Sequence, residues 1–245
     1  IIITSDHGCP IPFDGKDTTA FEPNLEKSLK TGKHIMPKFT HKFGAKIFNK
    51  TRNVIKNQRL ETANKNLNDY QKRSRLPPFI QTLFDEVVKT PLLFSGYKIK
   101  SMNITQQTQS IDIFPTIFDL LDFGYNNKIQ GNSFLSLLNN ESLNETPCYM
   151  HTIPHEKLSD NDLVGIRTSK FKYFRNARDA SSNIHLYDLK LDPQENQNIF
   201  KQNLEKISEM EDIITNFSKF ESTEEIINDD EETKIREELK KLGYL

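Results

Sequence analysis

No apolar run in these 245 residues approaches the roughly 18 residues a membrane-crossing helix needs, so this stretch is not read as membrane-embedded. Cysteine is nearly absent. Cys9 and Cys148 form no disulfide framework and no metal-thiolate spacing, and they leave the redox compartment open. Several reaction motifs are missing outright. There is no Gly-x-Ser-x-Gly elbow, no Walker lysine loop, no dinucleotide glycine triad and no His-Glu-x-x-His helix. These absences remove the common serine hydrolase, P-loop, nicotinamide and zincin readings. No internal repeat is found. An initiating methionine is also missing, because the chain opens directly on IIIT, which reads as a buried strand. The expectation is a piece of a longer protein cut at or near a core strand.

What is present is uneven. The formal net charge is only -1, yet residues 30–75 carry thirteen Lys or Arg against Glu61 and Asp69. The tail reverses the sign with Glu221, Glu224, Glu225, Asp229, Asp230, Glu231 and Glu232. Without interleaved aromatics or a finger or helix-turn-helix pattern, the basic segment reads as a solvated insertion ahead of a nucleic-acid surface.

The opening IIITSDHG poses the main chemical question. A strand over residues 1–4 ends on Ser5, Asp6, His7 and Gly8. The C-terminal edge of strands in open α/β sheets is where ligands gather. Adjacent Asp and His can share one ion, as a hard oxygen donor and a neutral imidazole donor, with Gly8 allowing the tight turn. An Asx-type turn with a hydrogen-bonded histidine is the plain alternative. Asp112 is read first as a cap or structural tie, and His151 and His155 as structural or exposed.

Further along, residues 82–96 read as a short helix and then a strand starting after Pro91. The segment PTIFDLLDF reads as a helix with Pro115 in its first turn and Gly124 as its stop. Ile113, Phe114, Ile117, Leu120 and Leu121 are expected to share its buried face. A second short helix follows in IQGNSFLSLL. From residue 146, short aromatic and β-branched runs predict an antiparallel sheet with a hairpin at Ser169-Lys170. Residues 204–220 predict a helix striped by Ile207, Met210, Ile213, Ile214 and Phe217, and residues 231–242 another helix ending at Gly243. Residues 16–75 show helix-like patches without one persuasive face.

Six segments, taken in order, resemble the C-terminal half of the sulfatase family, within the alkaline-phosphatase-like superfamily. They are IIITSDHG, TLFDEVVKTPLLFSG, SIDIFPTIFDLLDF with IQGNSFLSLL, LVGIRTSKFKYF, HLYDLKLDPQENQNI and ELKKLGYL. The resemblance skips residues 16–75. It implies an α/β sandwich, of which residues 1–145 are the C-terminal part of the main domain with the basic insertion at 16–75. A small antiparallel subdomain at 146–203 and a helical, charged tail at 204–245 follow.

By the same resemblance, Asp6 and His7 fall on metal-binding positions. Calcium is the implied ion; manganese or zinc goes with relatives acting on phosphorus esters. The implied substrate is an anionic organic or carbohydrate sulfate ester, cleaved through a formylglycine made in a Cys/Ser-x-Pro-x-Arg motif. That motif does not occur in the chain, and CPIPF at Cys9 is no substitute. The sequence also departs from the family by placing Ile80 and Gln81 where a Lys or His is usual, and Phe84 for a tyrosine. Lys33, His34 and His41 are candidates to supply the missing cationic side chain. A phosphodiesterase, phosphonate hydrolase or phosphoethanolamine-type transferase, and a degenerate binding or scaffold domain, stay open beside the sulfatase reading. Compartment and oligomeric state stay open too.

Overall fold

The computed structural model describes residues 1–23, 41–76, 82–96, 99–124, 129–152 and 159–221. Strand β1 (Ile2–Thr4) is followed by a 3-10 turn at Thr18–Phe21, helix α1 (His41–Asn64) and helix α2 (Asp69–Arg73). Next come α3 (Asp85–Val88), β2 (Leu92–Phe94), α4 (Ile113–Leu120) and α5 (Leu135–Leu138). Strands β3 (Cys148–His151), β4 (Leu163–Arg167), β5 (Phe171–Asn176) and β6 (His185–Asp188) then lead to α6 (Leu204–Glu221). The expected helix over residues 231–242 lies outside the described residues. No described helix is long and apolar enough to cross a membrane.

β3 to β6 form an antiparallel meander in chain order. Period-two alternation sends its side chains to two different cores. Val164, Ile166, Tyr173 and Leu186 meet Met210 and Ile214 of α6 on one face. Met150, Leu163, Phe174 and Tyr187 meet Leu83 on the other, with Phe84 and Val88 packed alongside. The apolar stripe expected on residues 204–220 is thus the face that α6 lays on the sheet. Gly165 is required where β4 passes β5, because a Cβ there would stand 2.4 Å from the Tyr173 carbonyl oxygen and 2.6 Å from Phe174 Cβ.

The structure differs from the expectations in particular places. Within these 245 residues β1 pairs antiparallel with β2, its one strand partner among the described residues, and Ile1 and Ile3 are exposed at 85% and 57%. A two-stranded ribbon has two faces, and among the described residues only the Leu92/Phe94 side meets a core, that of Phe134, Leu137 and Leu138. α4 buries Pro115 and Thr116, while Phe114 and Leu121 face solvent. The Thr116 hydroxyl donates to the Asp112 carbonyl and accepts from the Phe134 amide, and these bonds turn that side of the helix inward. α4 also ends before Gly124, with Asp122 taking the left-handed conformation (φ 56°) that breaks the helix. Within residues 16–75, the helix-like patches include one helix of 24 residues, α1.

Candidate functional site

The Asp6-His7-Gly8 turn leaves the end of β1 and is pinned from below. The Gly8 amide donates to the Val87 carbonyl at 2.6 Å, and a Cβ on Gly8 would sit 2.3 Å from the Glu86 carbonyl oxygen. Only glycine fits that approach. Asp6 Oδ1 accepts from the His7 amide at 2.9 Å, an Asx-type contact that leaves Oδ2 unused. His7 Nδ1 lies 2.6 Å from the Gly8 carbonyl oxygen, which assigns Nδ1–H as donor and leaves the Nε2 lone pair free. Nε2 faces Asp6 Oδ2 at 3.7 Å, with the His7 side chain 65% and the Asp6 side chain 87% exposed.

A free carboxylate oxygen and a free imidazole nitrogen at that spacing can both turn to one divalent cation. The backbone carbonyl on the far ring nitrogen is the partner that metal-ligating histidines commonly have. Two donors do not complete a coordination shell. Among the described residues no group of three or more His, Cys, Asp or Glu is placed to hold an ion.

The loop after the turn is fastened to residues 64–75. The Phe13 amide donates to Ser74 Oγ at 3.3 Å, and Arg75 donates to Asp14 at 2.7 Å and to Asn64 at 2.6 Å. The buried Arg75 guanidinium also lies 5.1 Å from the rings of both Phe13 and Phe21. A hollow lined by Pro10, Arg73, Leu76, Thr82, Phe84, Glu86 and Val87 opens beside Gly8, with room for little more than a water molecule. It encloses no ester substrate.

Beneath the turn lies an ionic cluster that the sequence reading did not single out. Asp85 receives Arg167 through two bonds of 2.9 and 2.8 Å, and Lys172 Nζ at 2.8 Å. Lys172, fully buried, also pairs with Glu195 at 2.9 Å, and Glu195 Oε2 accepts the Asp85 amide at 2.8 Å, capping α3. Burial opposes charge on Asp85, but Arg167 and Lys172 outweigh it and hold the carboxyl well below its usual range. Burial dominates at Glu195 and raises it, with Lys172 pulling the other way. Arg73 extends the cluster to Glu86 and to the carbonyls of Gln194 and Glu195. A lysine between Phe171 and Tyr173, in a strand buried on both faces, was the signal available in the sequence.

The other candidates are dispersed. Lys33, His34, Ile80, Gln81 and His155 lie outside the described residues, and of His41 only the backbone is described. Asp112 is a buried tie, accepting from the Gln109 and Asn132 amides at 2.8 Å each. His151 is half-buried at the end of β3. Both cysteines are free, and burial raises the Cys148 thiol.

Comparison with known proteins now bears on this geometry. Arylsulfatase K of Mus musculus is 32% identical over 125 residues, which are 48% of this chain and 23% of that protein. Arylsulfatase K of Rattus norvegicus is 26% identical over 125 residues. The chain therefore spans about a quarter of the length of the curated relatives it matches. Among solved structures, a 2-O GAG sulfatase superposes with TM-score 0.53 at 22% identity, over 63% of this chain and 35% of its own. A Bacteroides thetaiotaomicron protein described as a sulfatase gives TM-score 0.51 at 21% identity, over 66% of this chain and 37% of its own. At such identities these superpositions establish the fold, that of the alkaline-phosphatase-like sulfatases. Residues 80–219 match the family model described as N-sulphoglucosamine sulphohydrolase, C-terminal, and the chain belongs to that sulfatase family.

Proposed function

We propose that the whole protein is a metal-dependent sulfuric ester hydrolase and that Asp6 and His7 supply two of its metal ligands. The observation that carries the reading is the 2.6 Å contact between His7 Nδ1 and the Gly8 carbonyl oxygen, from which the Nδ1–H tautomer is assigned. With Nδ1–H held by the Gly8 carbonyl, Nε2 and Asp6 Oδ2 stand free, side by side, at a turn that Gly8 locks against the chain. Calcium is the ion proposed for the site, with manganese or zinc the alternatives that the imidazole donor accommodates. When bound, such an ion gathers the anionic oxygens of the ester and polarises the sulfuryl centre. Asp6 contributes negative charge for the ion, and His7 contributes an imidazole nitrogen. Lys33, His34 or His41 is proposed to steady charge on the leaving oxygen.

The nucleophile is proposed to be a formylglycine supplied from beyond these 245 residues, so the chain alone does not turn over. The substrate class is an organic or carbohydrate sulfate ester. Peptide mass spectrometry of the nucleophile region in the full-length protein, paired with rates on matched sulfate and phosphonate esters, tests this. A formylglycine peptide and preferred sulfate release are expected. An unmodified Ser or Thr with faster phosphorus-ester cleavage would overturn the sulfatase reading, and activity indifferent to chelator would overturn the metal site.

A further inference from the structure

Five Asn-x-Ser/Thr triplets lie along the chain, beginning at Asn49, Asn103, Asn140, Asn144 and Asn216. None has proline in the middle, so each fits the acceptor pattern for N-linked glycosylation. A chain this rich in asparagine makes such triplets by chance, so their placement has to decide. All five asparagines are exposed. None of their carboxamides takes part in a hydrogen bond among the described residues. The side chains of Asn64, Asn68, Asn176 and Asn198, outside such triplets, are committed to structural bonds.

Three of the acceptors share one surface. Residues 99–109 and 141–147 are irregular backbone, and the Gln106 side chain joins them by donating to the Leu143 carbonyl. Ile104 and Leu143 both pack into the core of Phe134, Leu137 and Leu138. Asn103 and Thr105 flank Ile104 and are exposed, and so are Ser142 and Asn144 around Leu143. An extended chain keeps residues i and i+2 on one side. In the Asn103 triplet the middle residue, Ile104, is thus anchored inward while the Asn103 carboxamide and the Thr105 hydroxyl turn outward together; Leu143 lies between the other two triplets and anchors the backbone that carries Ser142 and Asn144 outward. Asn49 and Asn216 lie within α1 and α6, where i and i+2 do not share a face. Phe217, the middle residue of the last triplet, also stacks on Tyr149 at 5.5 Å.

We propose that this surface is N-glycosylated, at Asn103 first and at one of Asn140 and Asn144 second. The donor is a lipid-pyrophosphate-linked oligosaccharide. The Asn103 Nδ2–C1 glycosidic bond forms as the sugar C1–O bond to pyrophosphate breaks; the amide gives up one proton and the lipid pyrophosphate leaves. The modification places the chain in the secretory pathway, and it does not depend on the sulfatase reading.

The test uses the full-length protein purified from its own organism. It is digested with peptide N-glycosidase in heavy-oxygen water and mapped by mass spectrometry. Heavy-labelled aspartate at position 103 and at either 140 or 144 is expected. Unmodified peptides at all three positions, or label confined to Asn49 and Asn216, would overturn the proposal. Asn103→Gln and Thr105→Ala should each remove one glycan step in gel mobility, and Thr105→Ser should keep it. Loss in Thr105→Ser as well, or no loss in Asn103→Gln, contradicts the assignment.

Discussion

The two sheets of this molecule use similar residues to opposite ends. The β1–β2 ribbon is almost wholly isoleucine, leucine and phenylalanine, yet Ile1, Ile3 and Leu93 remain exposed on one of its faces. The β3–β6 meander is more polar in sequence, and even its Lys172 is fully buried. Hydrophobicity alone does not bury a strand. A second layer does, and in the described residues only the meander has one on each face, α6 on one side and residues 83–88 on the other. The proposed metal pair follows β1, in a ribbon that is packed on one face within these 245 residues.

The comparison can be broken most severely inside the meander. Lys172→Met leaves Asp85 and Glu195 buried without their shared cation, and should cost about 3–5 kcal/mol by urea unfolding. A loss below about 1 kcal/mol would mean that the cluster is replaceable by apolar packing.

A matched pair of substitutions sharpens the contrast between sheets. In the 245-residue chain, Ile166→Ala, at a site with no exposure, should cost about 2–5 kcal/mol, whereas Ile3→Ala should stay within about 0.5 kcal/mol. Equal costs would contradict the account of the ribbon.

A more gradual effect concerns pH. His185 stacks on Phe174 at 4.3 Å, and burial, with Arg73 nearby, pushes it down to about 4 from 6.5. The unfolded chain therefore binds the proton first. Stability is intact above pH 6.5 and falls as pH drops from there toward 4, by at most about 1.4 kcal/mol per pH unit. His185→Phe keeps the stacking and should flatten that slope in thermal melts between pH 7.5 and 4.5. An unchanged slope would assign the pH dependence to other groups.

Much of this division was legible in the sequence. Short alternating runs after residue 146 announced the meander, and Ile207, Met210, Ile213, Ile214 and Phe217 marked the helix face that covers it. The Asp6-His7-Gly8 turn was visible because two metal-competent side chains end a strand. What the sequence concealed depends on long-range partners. The one-sided packing of the β1–β2 ribbon within these 245 residues depends on Phe134, Leu137 and Leu138, far along the chain. The inward turn of Thr116 follows from bonds to Asp112 and Phe134, 4 and 18 residues away. The Asp85–Lys172–Glu195 cluster joins residues 87 and 110 positions apart, so its members looked like ordinary surface charges until the chain folded.

The central claim is that the Asp6-His7 turn serves chemistry without supporting the fold. Steady-state hydrolysis of a sulfate ester by the full-length protein, wild type against Asp6→Asn, with melting temperature measured on the same samples, tests it most directly. The account predicts a fall in kcat/KM of more than about 100-fold, beyond the effect of changing an outer partner of a metal site. It also predicts an unchanged melting temperature in the presence of chelator. Full activity in Asp6→Asn, or a loss of activity matched by unfolding, would contradict it.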